Sequence, residues 1–317
     1  MIMLHTILVP LDGSPVAEQG LPPACRLAKE TGATLLLVRG VFYFAVDSKN
    51  READRAAARE AGGYLGTVRA GLARDGFAVR TEVVPCDAVG AILFAADMQE
   101  VDLISICTHG RGGLSHALVG SVAEAVLRQA DTPILITRAM EEPARQAAVP
   151  YRRILVPLDG TPFAEGALAY LARERIGDDA ELILLQAVAP VVPPYVPGLM
   201  GDGAAELYNG ADRETQQRLA GAEAYLHVTG TALRRAGPWR TRAMLGVAGP
   251  AILAAATSES ADLIVLATHG RHGLDRILYG SVAHELLRHA EVPVLILPAE
   301  GTHDTASGGR GAVGHTA

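Results

Sequence analysis

The sequence predicts an α/β protein built from two tandem, open parallel five-stranded sheets with helices on both faces. Three observations carry this. The chain repeats itself: residues 7–13 and 154–160 both read ILVPLDG, 108–111 and 268–271 both read THGR, and 120–123 and 280–283 both read GSVA. Its 317 residues divide into two copies of about 145 residues, the usual size of one domain. Hydrophobic residues make up 49% and aromatics only 4%, so the cores are built from Ala, Val, Leu and Ile, as in parallel strands buried on both faces.

The offset between copies is 159 − 12 = 147 at the Asp-Gly block and 280 − 120 = 160 at the Gly-Ser block, so the second copy carries thirteen extra residues. A repeat of this length is a domain, because solenoid periods run to roughly 20–50 residues. The expected boundaries are a first domain over 1–140, a second over 150–299, and a Gly/Ser/Thr tail over 300–317 that is too polar to order itself.

Each copy opens with an apolar run, 6–11 and 153–158, that ends at Asp-Gly and predicts a first strand. Ser14-Pro15 and Thr161-Pro162 then put a hydroxyl at the N-cap and proline at the first helical position, where its missing N–H costs nothing. Gly32 and Gly177 are the expected helix stops before second strands at 34–38 and 181–185. Amphipathic stretches at 51–75 and 213–236 predict long helices, followed by third strands at 77–84 and 239–245. Short helices follow at 88–96 and 248–257. The nearly continuous apolar runs 101–108 and 261–268 read as fourth strands buried in mid-sheet. Helices at 121–129 and 281–289 and last strands at 133–137 and 293–297 close each copy. The last strands, exposed and apolar, are expected to pair with each other within the chain. The extra residues of the second copy fall in 189–210, rich in proline and glycine, and read as a loop, either a flap over the second site or a passive surface insertion.

Composition narrows the function classes. The net charge is −7 and the arginines are dispersed, so no basic stripe offers itself to a nucleic acid. Cys25, Cys86 and Cys107 are odd in number and lack C-x-x-C spacing, which argues against a disulfide framework and a zinc site. The start, MIMLHTILVPLDG, reads as a strand and not a leader, and no apolar run reaches the length of a membrane span. A cytoplasmic protein without membrane or nucleic-acid partners is the expectation.

In an open parallel sheet, ligands bind beyond the carboxyl ends of the strands. Asp12 and Asp159 end the first strands there, and His109-Gly110-Arg111 and His269-Gly270-Arg271 follow the fourth strands. Ten residues after Gly110 and Gly270 come Gly120-Ser121 and Gly280-Ser281, each opening a helix whose free N–H groups and dipole favour an anion. The serine hydroxyl adds a donor, and Arg111 or Arg271 adds a fork for phosphate. Each element also has a plainer reading. Gly-Ser with Glu124 is a capping box, Asp before Gly is a turn residue, and His109 and His269 are solvated loop residues. Their recurrence together, in one order, in both copies favours a site. Neither a triphosphate P-loop nor a Gly-x-Gly-x-x-Gly run is present.

The ILVPLDG start, THGR-x-G-L segment and GSVA helix start resemble the universal stress protein family, here as a tandem member of an adenine-nucleotide α-hydrolase-like superfamily, over about residues 4–138 and 151–298. The resemblance implies strand order 3-2-1-4-5 and ATP binding, with or without Mg²⁺, through Gly-x2-Gly-x9-Gly-Ser/Thr. It places Gly110, Gly120, Ser121 and the Val122 N–H by the phosphates and Asp12 at the nucleoside, with Gly270, Gly280, Ser281, Val282 and Asp159 matching in the second copy. The sequence departs from this pattern where the first Gly is Cys107 or Ala267, which makes the second copy the less obstructed site. The implied role is a nucleotide-binding regulatory or protective stress-response module without catalytic or metal-ligating residues. The alternatives are a nucleotide-free interaction scaffold and a slow ATPase using His109 or His269. The resemblance also implies pairing of the two domains within the chain and leaves room for a homodimer.

Overall fold

A computed structural model describes residues 4–42, 48–108, 120–140, 149–197, 202–235, 237–268 and 280–298. The first repeat runs β1 (Thr6–Pro10), α1 (Pro15–Glu18), α2 (Leu21–Thr31), β2 (Thr34–Gly40), α3 (Ser48–Arg74), β3 (Val79–Val84), α4 (Ala88–Met98), β4 (Leu103–Thr108), α5 (Ser121–Gln129) and β5 (Ile134–Arg138). The second runs β6 (Arg153–Pro157), α6 (Pro162–Glu174), β7 (Glu181–Val188), α7 (Asp202–Ala232), β8 (Trp239–Leu245), α8 (Ala248–Ser258), β9 (Leu263–Thr268), α9 (Ser281–His289) and β10 (Val294–Pro298). The expected helices 121–129 and 281–289 and strand 239–245 coincide with α5, α9 and β8.

The expectation of two separate sheets is corrected. There is one ten-stranded sheet, ordered β3-β2-β1-β4-β5-β10-β9-β6-β7-β8. Within each half the strands are parallel in the order 3-2-1-4-5, and the halves join where β5 and β10 pair antiparallel, Leu135 opposite Leu295. The expected pairing of the last strands is what fuses the sheets. An edge strand reading ILIT presents unpaired backbone groups and apolar side chains on both faces, and the other copy's edge satisfies both.

Alternation along the strands sorts the core into two layers. Ile7, Val9, Leu35, Leu37, Leu103 and Leu135 pack on one face together with Ile154, Val156 and Leu295 of the second repeat. Leu8, Leu36, Ile104 and Ile136 pack on the other with Leu155, Ile183 and Ile296. Both layers therefore cross the repeat boundary. On the first face α2 adds a polar latch: Glu30 accepts from the Tyr151 N–H at 2.8 Å and the Gly177 N–H at 3.1 Å. Arg26 donates to the Val149 carbonyl at 2.6 Å and lies 4.6 Å over the Tyr151 ring. Burial raises the Glu30 pKa, and the two N–H donors and Arg26 oppose the rise only in part.

Three local expectations change. The first helix of copy one breaks into α1 and α2, because Pro22 and Pro23 lack the N–H groups that a continuous helix from Ser14 needs. Copy two has Ala169 and Tyr170 at the matching places, and α6 runs unbroken. Gly177 is not the stop of α6, which ends at Arg175 in the left-handed region (φ 58). The insertion 189–210 is not wholly a loop either: from Asp202 it is the start of α7, eleven residues before the expected helix start at 213.

The continuity of the core is testable. Leu135 and Leu295 are fully buried partners across the β5–β10 seam. Leu135→Ala and Leu295→Ala should each cost about 2–5 kcal/mol in urea unfolding. The double variant should depart from the sum by about 0.5 kcal/mol or more. Additivity within a few tenths would mean that the two cores act independently.

Candidate functional site

The carboxyl ends of β1, β2 and β4 meet the amino end of α5 around a cleft of about 280 Å³. Asp12, Ser14, Gly120, Ser121 and Val122 line it, so two segments more than a hundred residues apart converge as expected. Cys107 and Arg39 also line it. The second repeat carries the same local structures at Asp159 and at Gly280-Ser281, described below.

The Asp-Gly turn is built from the sequence outward. Gly13 and Gly160 have φ of 93° and 85°, a region that favours glycine. Asp12 Oδ1 accepts from the Ser14 N–H at 2.8 Å, and Asp159 Oδ1 accepts from the Thr161 N–H at 2.9 Å and its hydroxyl at 2.6 Å. The turn reading of these aspartates thus holds for one carboxylate oxygen of each. Burial alone would raise the Asp12 pKa, but hydrogen bonds from Ser14 and the Arg39 charge bring it below the usual carboxylate value. Asp12 therefore faces the cleft as an anion.

The helix starts differ from a capping box. Gly120 and Gly280, not the serines, are the N-caps of α5 and α9, and neither helix has a side-chain cap bond. Ser121 and Ser281 stand at the first helical position, and Glu124 pairs with Arg128 at 3.7 Å instead of reaching back. The contrast is with α1 and α6, whose caps Ser14 and Thr161 accept from Ala17 and Ala164 N–H groups. The first N–H groups of α5 and α9 lack intrahelical partners and a capping side chain. Gly280 has φ −50°, which any residue adopts, and a Cβ there would meet nothing within 4 Å. Among the described residues, neither backbone strain nor packing requires glycine at 280. By contrast, Gly40 at the end of β2 is required by the fold, since a Cβ would come within 2.9 Å of the Cys86 carbonyl.

Cys107, which stands where the resemblance implies a glycine, is among the residues that line the first cleft. Burial pushes its thiol up to about 12, so it stays neutral and puts no charge against an anion. Gly110, Arg111, Gly270 and Arg271, with His109 and His269, lie outside the described residues.

Sequence reasoning missed a second repeated pair. Tyr64 on α3 donates to Glu18 at 2.8 Å, and Tyr225 on α7 donates to Glu165 at 2.9 Å, tying the long helix of each copy to the helix after the Asp-Gly turn. Burial and the neighbouring glutamate push the Tyr225 hydroxyl up to about 12. It also missed Arg39, although a lone charge ending the apolar run LLLV at a strand's carboxyl end was a usable signal.

Two measurements follow from Ser14. Ser14→Ala removes the α1 cap and should cost about 1 kcal/mol in unfolding. It also removes the hydroxyl donor to Asp12 while the backbone N–H bond stays, so the carboxyl midpoint followed by NMR, held below the usual carboxylate value in the native protein, should move up in part. The stabilisation from a depressed Asp pKa is present above the unfolded value and is lost as pH falls through the folded one. The difference between the two proteins should therefore shrink toward acid pH. A midpoint indifferent to Ser14 would contradict the assignment.

A sequence model of the universal stress protein family matches residues 3–138 and again 150–298. A universal stress protein of Mycobacterium tuberculosis is 31% identical over 201 residues, which is 62% of this chain and 62% of that protein. The match thus spans less than two thirds of that relative's length. One from Methanocaldococcus jannaschii is 33% identical over 147 residues, 46% of this chain and 82% of that protein. In fold, the crystal structure of a universal stress protein from Archaeoglobus fulgidus covers 94% of this chain and 100% of its own, with a TM-score of 0.66 at 18% identity. With both repeats matched nearly end to end by one family model, the chain belongs to the universal stress protein family, as a tandem two-copy member.

Proposed function

We propose that the chain binds ATP or a close adenine nucleotide, with or without Mg²⁺, and acts as a regulatory or protective module in a stress response. The observation that carries the reading is the convergence of Asp12 with Gly120, Ser121 and Val122 on one cleft, repeated locally at Asp159 and Gly280-Ser281-Val282. The fit to a nucleotide is one of chemistry. Uncapped N–H groups at the starts of α5 and α9 suit the 5′ phosphates, and the open Cβ position at Gly280 is the space a close ligand would fill. The free oxygens of Asp12 and Asp159 would accept from the nucleoside. Gly110, Arg111, Gly270 and Arg271 would complete the phosphate side. Ala267 leaves more room than Cys107, so the second copy is the stronger site for ATP. Among the described residues the proposed binding groups include no positioned base, and the proposal is of a binding module, with slow ATP hydrolysis the alternative.

Two experiments test this. Denaturing purified protein and identifying released molecules by mass spectrometry should give an adenine nucleotide, and added ATP with Mg²⁺ should not turn over. Gly280→Val should weaken ATP binding about tenfold or more, because a branched side chain takes the space of the ligand. Unchanged affinity in that variant would remove Gly280 from the site, and ATP turnover at enzymatic rates would favour the hydrolase reading.

A further inference from the structure

The two repeats keep the same anchors, and among the positions that line the first cleft only one differs between them in charge. Arg39, near the carboxyl end of β2, borders the first cleft beside Asp12. The matching residue of β7 is Gln186, since 39 + 147 = 186. The two side chains fill the same space: Arg39 Nη1 lies 3.6 Å from where a Cβ on Gly13 would sit, and Gln186 Nε2 lies 3.7 Å from that point on Gly160.

Their chemistry differs. Arg39 is a permanent cation with donors only. Its guanidinium lies 5.5 Å over the Tyr64 ring and 3.5 Å from Glu60 Oε1, on a side chain that is 74% exposed. An ion pair to so exposed a carboxylate is weak. The guanidinium is therefore held in place by Tyr64, with its charge available to a ligand. Gln186 is a neutral amide that carries both donors and an acceptor, and its Oε1 is buried without a hydrogen-bond partner among the described residues.

Resting on the nucleotide reading above, we propose that Arg39 makes the first cleft selective for an adenine nucleotide carrying a second phosphate on its ribose. The matching place in the second repeat, with Gln186, would take nucleotides whose ribose hydroxyls are free. The argument is one of place. The 5′ phosphates belong to the Gly120-Ser121 end and the nucleoside to Asp12, and Arg39 stands with Asp12. A ribose phosphate there meets the guanidinium fork through two parallel N–H···O bonds. Asp12 opposes it only in part, because Oδ1 is engaged by the Ser14 N–H at 2.8 Å and Arg39 offsets its charge. In the second repeat the same phosphate would face Asp159 with no cation at position 186.

The test is calorimetric titration of the full chain at one fixed, low ionic strength with ATP, AMP, adenosine 2′,5′-bisphosphate and adenosine 3′,5′-bisphosphate. In the native protein one of two sites should bind a bisphosphate about tenfold or more tighter than AMP, the strength of a charge-assisted contact. Arg39→Gln should abolish that preference while AMP still binds, and Gln186→Arg should extend it to the second site. Equal affinity for AMP and both bisphosphates in the native protein, or a preference that survives Arg39→Gln, overturns the proposal. Binding of ATP and AMP without discrimination sinks this inference alone, whereas no binding of any of the four sinks the nucleotide reading with it.

Discussion

The pairing of β5 with β10 is the interaction on which the rest depends. Each repeat, taken alone, would end in an apolar strand with one open hydrogen-bonding edge, a form that invites association. Joining the two edges within one chain satisfies both at once and makes two five-stranded sheets into one of ten. It also extends both hydrophobic layers through the seam, so residues such as Leu135 and Leu295 belong to a common core. The Arg26–Glu30 latch lies over the same junction and fixes the chain as it leaves the linker and enters β6.

The sheet in turn fixes the candidate sites. A parallel strand order of 3-2-1-4-5 reverses its winding between the first and fourth strands, and the crevice opens there. Within that crevice, the turn glycines are set by backbone conformation and Gly40 by packing, both demands of the chain itself. Gly280 answers to neither. A glycine that no described neighbour requires, at an uncapped helix start, is the feature on which the proposed ligand site rests.

Much of this was legible in the sequence because the signals were local. Apolar runs bounded by Asp-Gly, hydroxyl-Pro and Gly-Ser pairs gave the strands and helix starts, and the duplication let each reading check the other. What escaped was non-local or ambiguous. The fusion into one sheet depends on which partner an edge strand finds, and the run ILIT cannot say whether that partner leaves one sheet or two. The early start of α7 was hidden because Gly203 and Gly210 look like loop residues, yet a long helix packed on β7 and β8 tolerates them where no Cβ is needed. The capping-box reading of Ser121 failed by one position, since only the backbone conformation of Gly120 shows which residue is the cap. Arg39 was visible as a charge at the end of an apolar strand, but its place beside Asp12 required knowing that β1 and β2 are neighbours.

Duplication inside one sheet separates what the fold demands from what a site chooses. The Asp-Gly turns, the hydroxyl caps, the Tyr-Glu ties and the Gly-Ser helix starts recur in both copies, and all but the last have a structural account within the chain. The differences fall elsewhere. Pro22 and Pro23 break a helix that is whole in the second copy, a change that α1 and α2 absorb without moving the turn. Cys107 against Ala267, and Arg39 against Gln186, change only volume and charge at the carboxyl ends of strands whose packing is otherwise matched. These positions lie at the margin of the buried layers, where Ala267 still packs against the first of them. Two copies held by one seam can thus differ in charge and volume at these strand ends while sharing both hydrophobic layers.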